Sequence, residues 1–256
     1  MSFKALNQAR YGPRAAAYVA SVTHAQGAEL ARLVEIAQPQ PHWRALDVAT
    51  GGGHTALRFA PHVTQVVATD LTLAMLEAAR AFIAPRAGNV LFSLADAENL
   101  PFPRASFDLV TCRIAPHHFP DPWRFVGQCA RVLRSGGLLL VQDHVLPDDP
   151  QAARYVDSFE RLRDPSHVRA FSEAEWRGMF LDHDFIIEHT ETLIKRHHLR
   201  EWAERQGCDA ATMERLHVML LRANPPVQAH MQPEYAGTDY ATFADHHLIL
   251  MGRKPY

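Results

Sequence analysis

Cysteine is scarce in this sequence, and long apolar runs are missing. Cys112, Cys129 and Cys208 lie far apart and form no Cys-x-x-Cys pair, a usage that suits a reducing compartment. No uninterrupted apolar run approaches the roughly 20 residues that span a bilayer, and the polar segment 1–14 has no signal-peptide core. We therefore expect a cytoplasmic protein without stable membrane insertion.

An excess of charge is missing as well. The formal net charge of -2 gives no reason to expect nucleic acid or an anionic membrane as partner. Although 16 histidines are present, neither His-Glu-x-x-His nor a paired Cys/His spacing occurs, so we predict no metal site. The sequence contains no signal for the oligomeric state.

The order of predicted elements indicates the fold. Apolar strands are predicted at 45–49, 65–69, 90–94, 107–113 and 138–142, and they alternate with helices at 54–60, 73–83 and 122–133. Strands that are apolar on both faces and alternate with helices predict a parallel sheet covered on both sides. Right-handed crossovers then give a doubly wound, Rossmann-like α/β fold.

The flanking segments complete a single predicted domain, 1–256. Helical spacing covers 14–37, interrupted at Gly27, and helices are predicted at 152–162 and at 172–181, the latter with a capping box of Ser172 and Glu175. Two late strands, 185–193 and 242–251, bracket a helical stretch, 198–222. We expect a core of about 40–195 and 240–254, an N-terminal helical lid (1–38) and a helical cap (about 197–235) over the carboxyl ends of the strands, where such folds bind ligands.

A glycine-rich turn with two acids is the sharpest chemical signal. The run from Asp47 to His54 reads DVATGGGH, and glycines at a strand-to-helix turn allow close approach of a ligand to free backbone amides. Asp70 ends the next predicted strand, where a carboxylate can accept the hydroxyls of a ribose or, alternatively, cap the following helix. The turn also satisfies the dinucleotide fingerprint, so an adenosine-containing cofactor is indicated without a choice among them.

The positions of two carboxylates, Asp47 and Asp96, help to choose among these cofactors. Asp47 lies inside the first predicted strand, where it would face the diphosphate of a nicotinamide dinucleotide but would suit an ammonium or sulfonium group. Asp96 follows the third predicted strand, where it can accept the exocyclic amine of adenine.

The segment from Arg44 to Gln142 resembles the class I S-adenosylmethionine-dependent methyltransferases. The likeness rests on LDVATGGGHTA, VVATDLTLAML, ADAENLPFPRASFDLV and ARVLRSGGLLL, in that order, and is closest to the ubiquinone/menaquinone-biosynthesis C-methyltransferase branch. It implies a seven-stranded sheet whose last strand is antiparallel, S-adenosylmethionine as cofactor, and methyl transfer to a small-molecule substrate. An NAD(P)-dependent oxidoreductase and a non-catalytic S-adenosylmethionine-binding module are the alternatives.

The resemblance also implies roles for individual residues. Asp47 would orient the ammonium group, Asp70 would hold the ribose, and Arg113 would contact the cofactor backbone. The other implied cofactor-binding residues are Ala49, Thr50, Gly51 and Gly53 at the methionine end, Leu71 and Met75 beside adenine, and Asp96 with Ala97 at the adenine edge. The family often has glycine where Ala49 stands, and we expect closer contact there without loss of binding.

A general base is needed only if the acceptor must lose a proton. His117 and His118, just past the fourth predicted strand, are the candidate catalytic residues, with His144 past the fifth. The competing interpretation is that this histidine pair belongs to a loop shaped only to close over the cofactor. Tyr11 and Tyr18 are candidates for a lid over the methyl-donor pocket.

Overall fold

The computed structural model describes residues 2–20 and 28–256. Helices α1 (Phe3–Tyr11), α2 (Ala15–Ala20) and α3 (Ala28–Ala37) precede the first strand. The alternating part comprises β1 (Arg44–Val48), α4 (His54–Phe59), β2 (Gln65–Asp70), α5 (Leu73–Ile83), β3 (Val90–Leu94), β4 (Phe107–Arg113), α6 (Pro122–Val132) and β5 (Leu133–Leu146). The remainder comprises α7 (Pro150–Arg163), β6 (Phe171–Ser172), α8 (Glu173–Leu181), β7 (Ile186–His198), α9 (Leu199–Glu204), α10 (Ala210–Leu221), α11 (Pro225–Met231) and β8 (Thr242–Arg253).

A mixed sheet organises these elements in the order β3-β2-β1-β4-β5-β8-β7, with the two-residue β6 paired to β5 off this path. Strands β1 to β5 are parallel, whereas β8 runs antiparallel to both β5 and β7. The predicted seven-stranded sheet with an antiparallel last strand is thereby confirmed. The chain reverses its direction of travel across the sheet between β1 and β4, and a crevice opens at such a switch point.

Apolar side chains on both faces of the central strands explain why the sheet is buried. Leu46 and Val110 pack into one core cluster, while their chain neighbours Ala45 and Leu109 pack into a second. Because successive residues of a strand point to opposite faces, a strand buried on both sides must be apolar at nearly every position. This pattern allowed β1 and β4 to be predicted within a residue of their observed bounds.

Some boundaries differ from the prediction. β5 begins at Leu133 and ends at Leu146, nine residues longer than the predicted 138–142, because it pairs on both sides with β4 and β8. α1, capped by the Ser2 side chain, lies in the segment expected to be a helical lid (1–38), although helical spacing was identified only over 14–37. The capping box of Ser172 and Glu175 is confirmed. The predicted interruption at Gly27 lies outside the described residues.

The stretch between β7 and β8 is helical, as predicted, and packs on α7 and β8. Trp202 of α9 stacks on Phe159 of α7 with ring centroids 5.1 Å apart, and both contact Phe243 of β8. Leu216 and Val227 extend this cluster. Within the described ranges, none of the helices is long and apolar enough to cross a membrane.

Candidate functional site

A crevice lies at the carboxyl ends of β1, β2, β4 and β5, covered by α1 and bordered by α7, α9 and the start of β8. It brings together ten of the eleven predicted cofactor-binding residues: Asp47, Ala49, Thr50, Gly51, Asp70, Leu71, Met75, Asp96, Ala97 and Arg113. Histidines line its other half: His117, His118, His144, His167, His197 and His247. We call these two parts the glycine-turn half and the histidine half.

Asp47 places a buried carboxylate at the start of α4. It is 2% exposed and accepts the hydroxyls of Thr50 (2.6 Å) and Thr111 (2.7 Å) and the backbone N–H of Ala56. Burial raises its pKa to about 6, although these hydrogen bonds and the charge of Arg113 oppose that rise. The carboxylate thus occupies the helix start where a dinucleotide would place its diphosphate, which argues against the oxidoreductase alternative.

Asp70 is held in place by the turn it faces. Its Oδ2 accepts the backbone N–H of Gly51 at 3.0 Å, and its Oδ1 accepts that of Thr72 at 2.9 Å, at the start of α5. The two interpretations of this carboxylate are therefore compatible, because each oxygen has a second lone pair left for a ligand hydroxyl. Burial raises the pKa of Asp70.

Gly53 is the predicted residue that does not line the crevice. Its φ is +84°, and a Cβ at this position would lie 2.6 Å from Ile83 Cδ1 of α5. Glycine is therefore required there so that α4 and α5 can pack closely, and its contact with the cofactor stays a prediction. Gly51, at φ +53° with open space around it, does line the crevice.

Helix α1 contacts the carboxylate predicted to bind adenine. Lys4 Nζ lies 2.6 Å from both Asp96 Oδ2 and Glu98 Oε2, while Asp96 Oδ1 accepts the Glu98 backbone N–H at 3.0 Å. Lys4 was not singled out in the sequence, because nothing in a single chain signals which distant lysine will reach an acid. The N-terminal segment therefore forms part of the crevice wall.

Arg113 closes the floor of the glycine-turn half, where burial lowers its pKa. Its Nε donates to the Thr55 hydroxyl at 3.0 Å, and its guanidinium lies 3.5 Å from Glu29. Leu71, Met75 and Ala97 contribute the apolar side of this half, as expected for packing beside a flat base.

His117 lies in a short 3₁₀ turn after β4 and is oriented by Asp143. Its Nδ1 is 2.6 Å from Asp143 Oδ1, and its backbone N–H donates to Asp143 Oδ2 at 2.7 Å. Burial, followed by the charges of His118 and His144, lowers the pKa of His117 well below its usual range. A neutral ring that donates its Nδ1–H to the carboxylate in a hydrogen bond keeps Nε2 as a proton acceptor.

His118, in contrast, has both ring nitrogens engaged. Nδ1 lies 3.0 Å from the Ser166 carbonyl oxygen and Nε2 lies 3.0 Å from the Tyr11 hydroxyl, which itself donates to Asp164 at 2.6 Å. The two histidines predicted as catalytic residues therefore differ. His117 is suited to accept a proton, whereas His118 connects α1 to the loop after α7. The side chain of Tyr18 lies outside the described part of the chain.

Three members of the histidine half were missed by sequence reasoning. His197, Asp245 and His247 come from β7 and β8 and meet His144 of β5, because β8 pairs with both strands. The sequence signal for Asp245 and His247 is the alternation of polar residues at the start of the last predicted strand. This alternation identifies a site only when the order of the strands in the sheet is known.

Comparisons with known proteins agree with this geometry. Residues 46–141 match a family described as methyltransferase domain. The uncharacterized methyltransferase YcgJ of Bacillus subtilis (strain 168) is 37% identical over 205 residues, 80% of this chain and 81% of that protein. A crystal structure from Bacillus halodurans superposes with a TM-score of 0.86 at 34% identity, covering 90% of this chain and all (100%) of that one. The ubiquinone/menaquinone biosynthesis C-methyltransferase UbiE of Ectopseudomonas mendocina (strain ymp) is 35% identical over 131 residues, 49% of this chain and 51% of that protein.

Proposed function

Because this chain belongs to the class I S-adenosylmethionine-dependent methyltransferases, we propose that it methylates a small molecule bound in the histidine half of the crevice. The supporting observation is that the glycine turn with its two acids and the histidine rings line one continuous cavity. Cofactor and acceptor could therefore meet inside it. The cytoplasmic location expected from the sparse cysteines belongs to the same proposal.

The glycine-turn half suits the cofactor chemically. S-adenosylmethionine supplies a methyl group on a positively charged sulfur, already activated for transfer. We assign Asp47 to the cationic methionine end, Asp70 to the ribose, and Asp96 with Ala97 to the adenine edge. These residues fit a cationic cofactor because Asp47, Asp70 and Asp96 all line this half. Burial raises the pKa of Asp47 to about 6, so its carboxyl group is partly protonated near that pH. A cationic ligand would restore its charged form.

The histidine half would align the acceptor and exclude water. Positioning of this kind can lower a reaction barrier by roughly 7–11 kcal/mol. His117 would accept a proton at Nε2 where the acceptor must lose one, with Asp143 as the residue that positions its ring. We further propose that α1 acts as the lid and that the helices between β7 and β8 act as the cap of this cavity.

The cofactor assignment is tested by Asp70→Asn. We expect micromolar binding of S-adenosylhomocysteine by calorimetry in the wild type and a loss of at least about tenfold in the variant, since hydrogen bonds to a charged group are worth about 1.5–3 kcal/mol. The exposed Asp148→Asn should bind like the wild type. Equal affinity in both variants would contradict the assignment to the ribose.

The acceptor assignment is tested with a panel of quinols, phenols, amines and carboxylic acids, scored by mass spectrometry for a gain of one methyl group. For an acceptor that must be deprotonated, His117→Gln should lower kcat about 10²- to 10⁴-fold, the usual contribution of a general base, with little change in cofactor affinity. His118→Gln should retain more activity. Absence of any methylated product across the panel would favour a non-catalytic binding module instead.

A further inference from the structure

Three imidazoles surround one buried carboxylate where β5, β8 and β7 meet. Asp245 Oδ1 lies 2.9 Å from His144 Nδ1, and Asp245 Oδ2 lies 3.0 Å from His247 Nε2 and 3.3 Å from His197 Nε2. His144 is directly opposite His247 in the β5–β8 register, and Asp245 shares a face with His247 because they are two residues apart in one strand. All four residues line the histidine half of the crevice.

Burial lowers the pKa of His144, but Asp245 and Glu160 outweigh it and raise this pKa to about 9, so a metal ion would replace the proton of His144. Even with that proton, the cluster has more lone pairs than protons. A neutral imidazole carries one N–H and one acceptor nitrogen, and a carboxylate only accepts. His247 Nδ1 is buried and has no hydrogen-bond partner. Lys195, which lies across from Asp245 in the β7–β8 register, pairs with Glu29 instead.

Glu160 adds a second buried carboxylate to the same place. It is 6% exposed, lines the crevice, and interacts electrostatically with His144 and Asp245. Burial raises the pKa of this carboxyl group, so ionising it beside Asp245 is unfavourable without a nearby positive charge. A buried polar atom without a partner, as His247 Nδ1 is, costs about 1–3 kcal/mol, so a cation bound among these groups would stabilise them.

We propose that His144, Asp245 and His247 form a binding site for a divalent transition metal, with Glu160 beside it. Their candidate ligand atoms all lie within 4.8 Å of one another. Ligands about 2.0–2.2 Å from a tetrahedral zinc ion lie roughly 3.3–3.6 Å apart. The two nitrogens lie 2.9 and 3.0 Å from the carboxylate oxygens, so these side chains would move apart by a few tenths of an ångström when an ion replaces the hydrogen bonds. Two imidazoles and one carboxylate match the three protein ligands that leave a zinc coordination position open.

A second group, His117 with Asp143 and His144, meets the same distance criterion. There, however, one oxygen of Asp143 accepts the backbone N–H of His117, a group that cannot become a metal ligand, whereas the oxygens of Asp245 contact only imidazole nitrogens. Asp143 therefore acts as the positioning residue of His117, and the β8 group is the better metal site. The prediction that the protein has no metal site considered only ligands close together in the sequence, whereas these ligands lie on two strands about a hundred residues apart.

The site suggests a substrate class. Resting on the proposed function, an open coordination position in the acceptor half would select acceptors with an oxygen donor, such as a phenolate, a carboxylate or a vicinal diol. Acceptors whose only reactive centre is a carbon atom would gain nothing from the metal.

The full-length chain, stripped with a chelator and dialysed against micromolar Zn²⁺, provides the test. We expect about one equivalent of zinc by elemental analysis, and an intense visible absorption when Co²⁺ replaces it, as low coordination numbers produce. His247→Gln should weaken Zn²⁺ binding at least about tenfold, whereas His62→Gln, a change at an exposed histidine, should leave it unchanged. S-adenosylhomocysteine affinity, measured in parallel, should stay the same in both variants.

Two results would overturn the site: no zinc retained by the wild type, or equal retention by His247→Gln and His62→Gln, which indicates surface binding only. Loss of S-adenosylhomocysteine binding in His247→Gln would mean that this variant is misfolded. Zinc retention is then compared between Asp245→Asn, which preserves the shape of the side chain, and His62→Gln, with the same criteria. Bound zinc without any methylated product would contradict the proposed acceptor role and leave the metal site supported. Methyl transfer by a protein that retains no zinc would contradict the metal site and support the proposed acceptor role.

Discussion

At the scale of single residues, Asp47 links cofactor binding to pH. Its pKa is raised from 3.8 to about 6, so between these values the folded chain holds a proton that the unfolded chain releases. This group therefore makes the fold less stable as pH rises from about 4 to about 6. A cationic cofactor binds the ionised form, so we expect S-adenosylmethionine affinity to be roughly tenfold lower at pH 5 than at pH 7.

Calorimetry from pH 5 to pH 8 measures this dependence, and two buffers of different ionisation enthalpy reveal the released proton. Asp47→Asn should lower the affinity at pH 7 and remove the step near pH 6. An affinity that stays flat across this range in the wild type would show that Asp47 is not coupled to the ligand.

Single residues also show where sequence reasoning succeeds. Asp47 and Asp70 were identifiable because the strand, the turn and the acid follow one another along the chain, so local spacing carries the information. His197 and His247 were not, because they reach the crevice through pairing of strands far apart in sequence. Helix packing against Ala79 and Ile83 also requires glycine at position 53. The sequence did not reveal this requirement, because a turn glycine needed for packing has the same local pattern as one that contacts a ligand.

At the scale of elements, the contact between α4 and α5 depends on Gly53. In Gly53→Ala the new methyl group would meet Ile83 Cδ1 at 2.6 Å and would sit at φ +84°. We expect a loss of about 2–4 kcal/mol in the free energy of unfolding, from overpacking and backbone strain together. Urea denaturation measures it, and Gly88→Ala, where nothing lies within 4 Å, serves as the control. Equal midpoints for the two variants would contradict this packing role.

Element boundaries were predicted best where the sheet is buried on both faces. β4 matches its predicted bounds because it is buried along nearly its whole length, with Asp108, Thr111 and Arg113 as its polar residues, whereas β5 extends beyond its apolar centre at both ends. The Ser-Gly-Gly segment inside β5 looks like a turn in sequence. In the structure, however, the Gly136 N–H donates to the Lys254 carbonyl oxygen and the Lys254 N–H donates to the Gly137 carbonyl oxygen, just beyond the end of β8. The ends of such a strand depend on the strands with which it pairs, and the local sequence pattern does not reveal those partners.

At the scale of the whole molecule, α1 ties together distant segments above the crevice. Tyr11 donates to Asp164 at 2.6 Å, and Arg10 Nε lies 2.9 Å from the other Asp164 oxygen. Arg10 also donates to the Gln206 carbonyl oxygen at 3.0 Å, beyond α9. If α1 is the lid proposed above, a ligand as large as the cofactor leaves only after these contacts break.

We expect Tyr11→Phe to speed release of S-adenosylhomocysteine by about 3- to 10-fold, the equivalent of one hydrogen bond worth about 0.5–1.5 kcal/mol. Stopped-flow displacement measures the rate. Tyr240→Phe, at a side chain that is largely exposed (76%), should release the ligand at the wild-type rate. An unchanged rate in Tyr11→Phe would mean that α1 does not control exit.

The insertion of β8 between β5 and β7 has a consequence for biogenesis. Residues 44–113, which contain most of the glycine-turn half, emerge from the ribosome long before Asp245 and His247 do. A nascent chain can therefore assemble the parallel strands around the future cofactor well ahead of the opposing wall. The two halves of the crevice mature at different times, and the last strand to be synthesised completes the second.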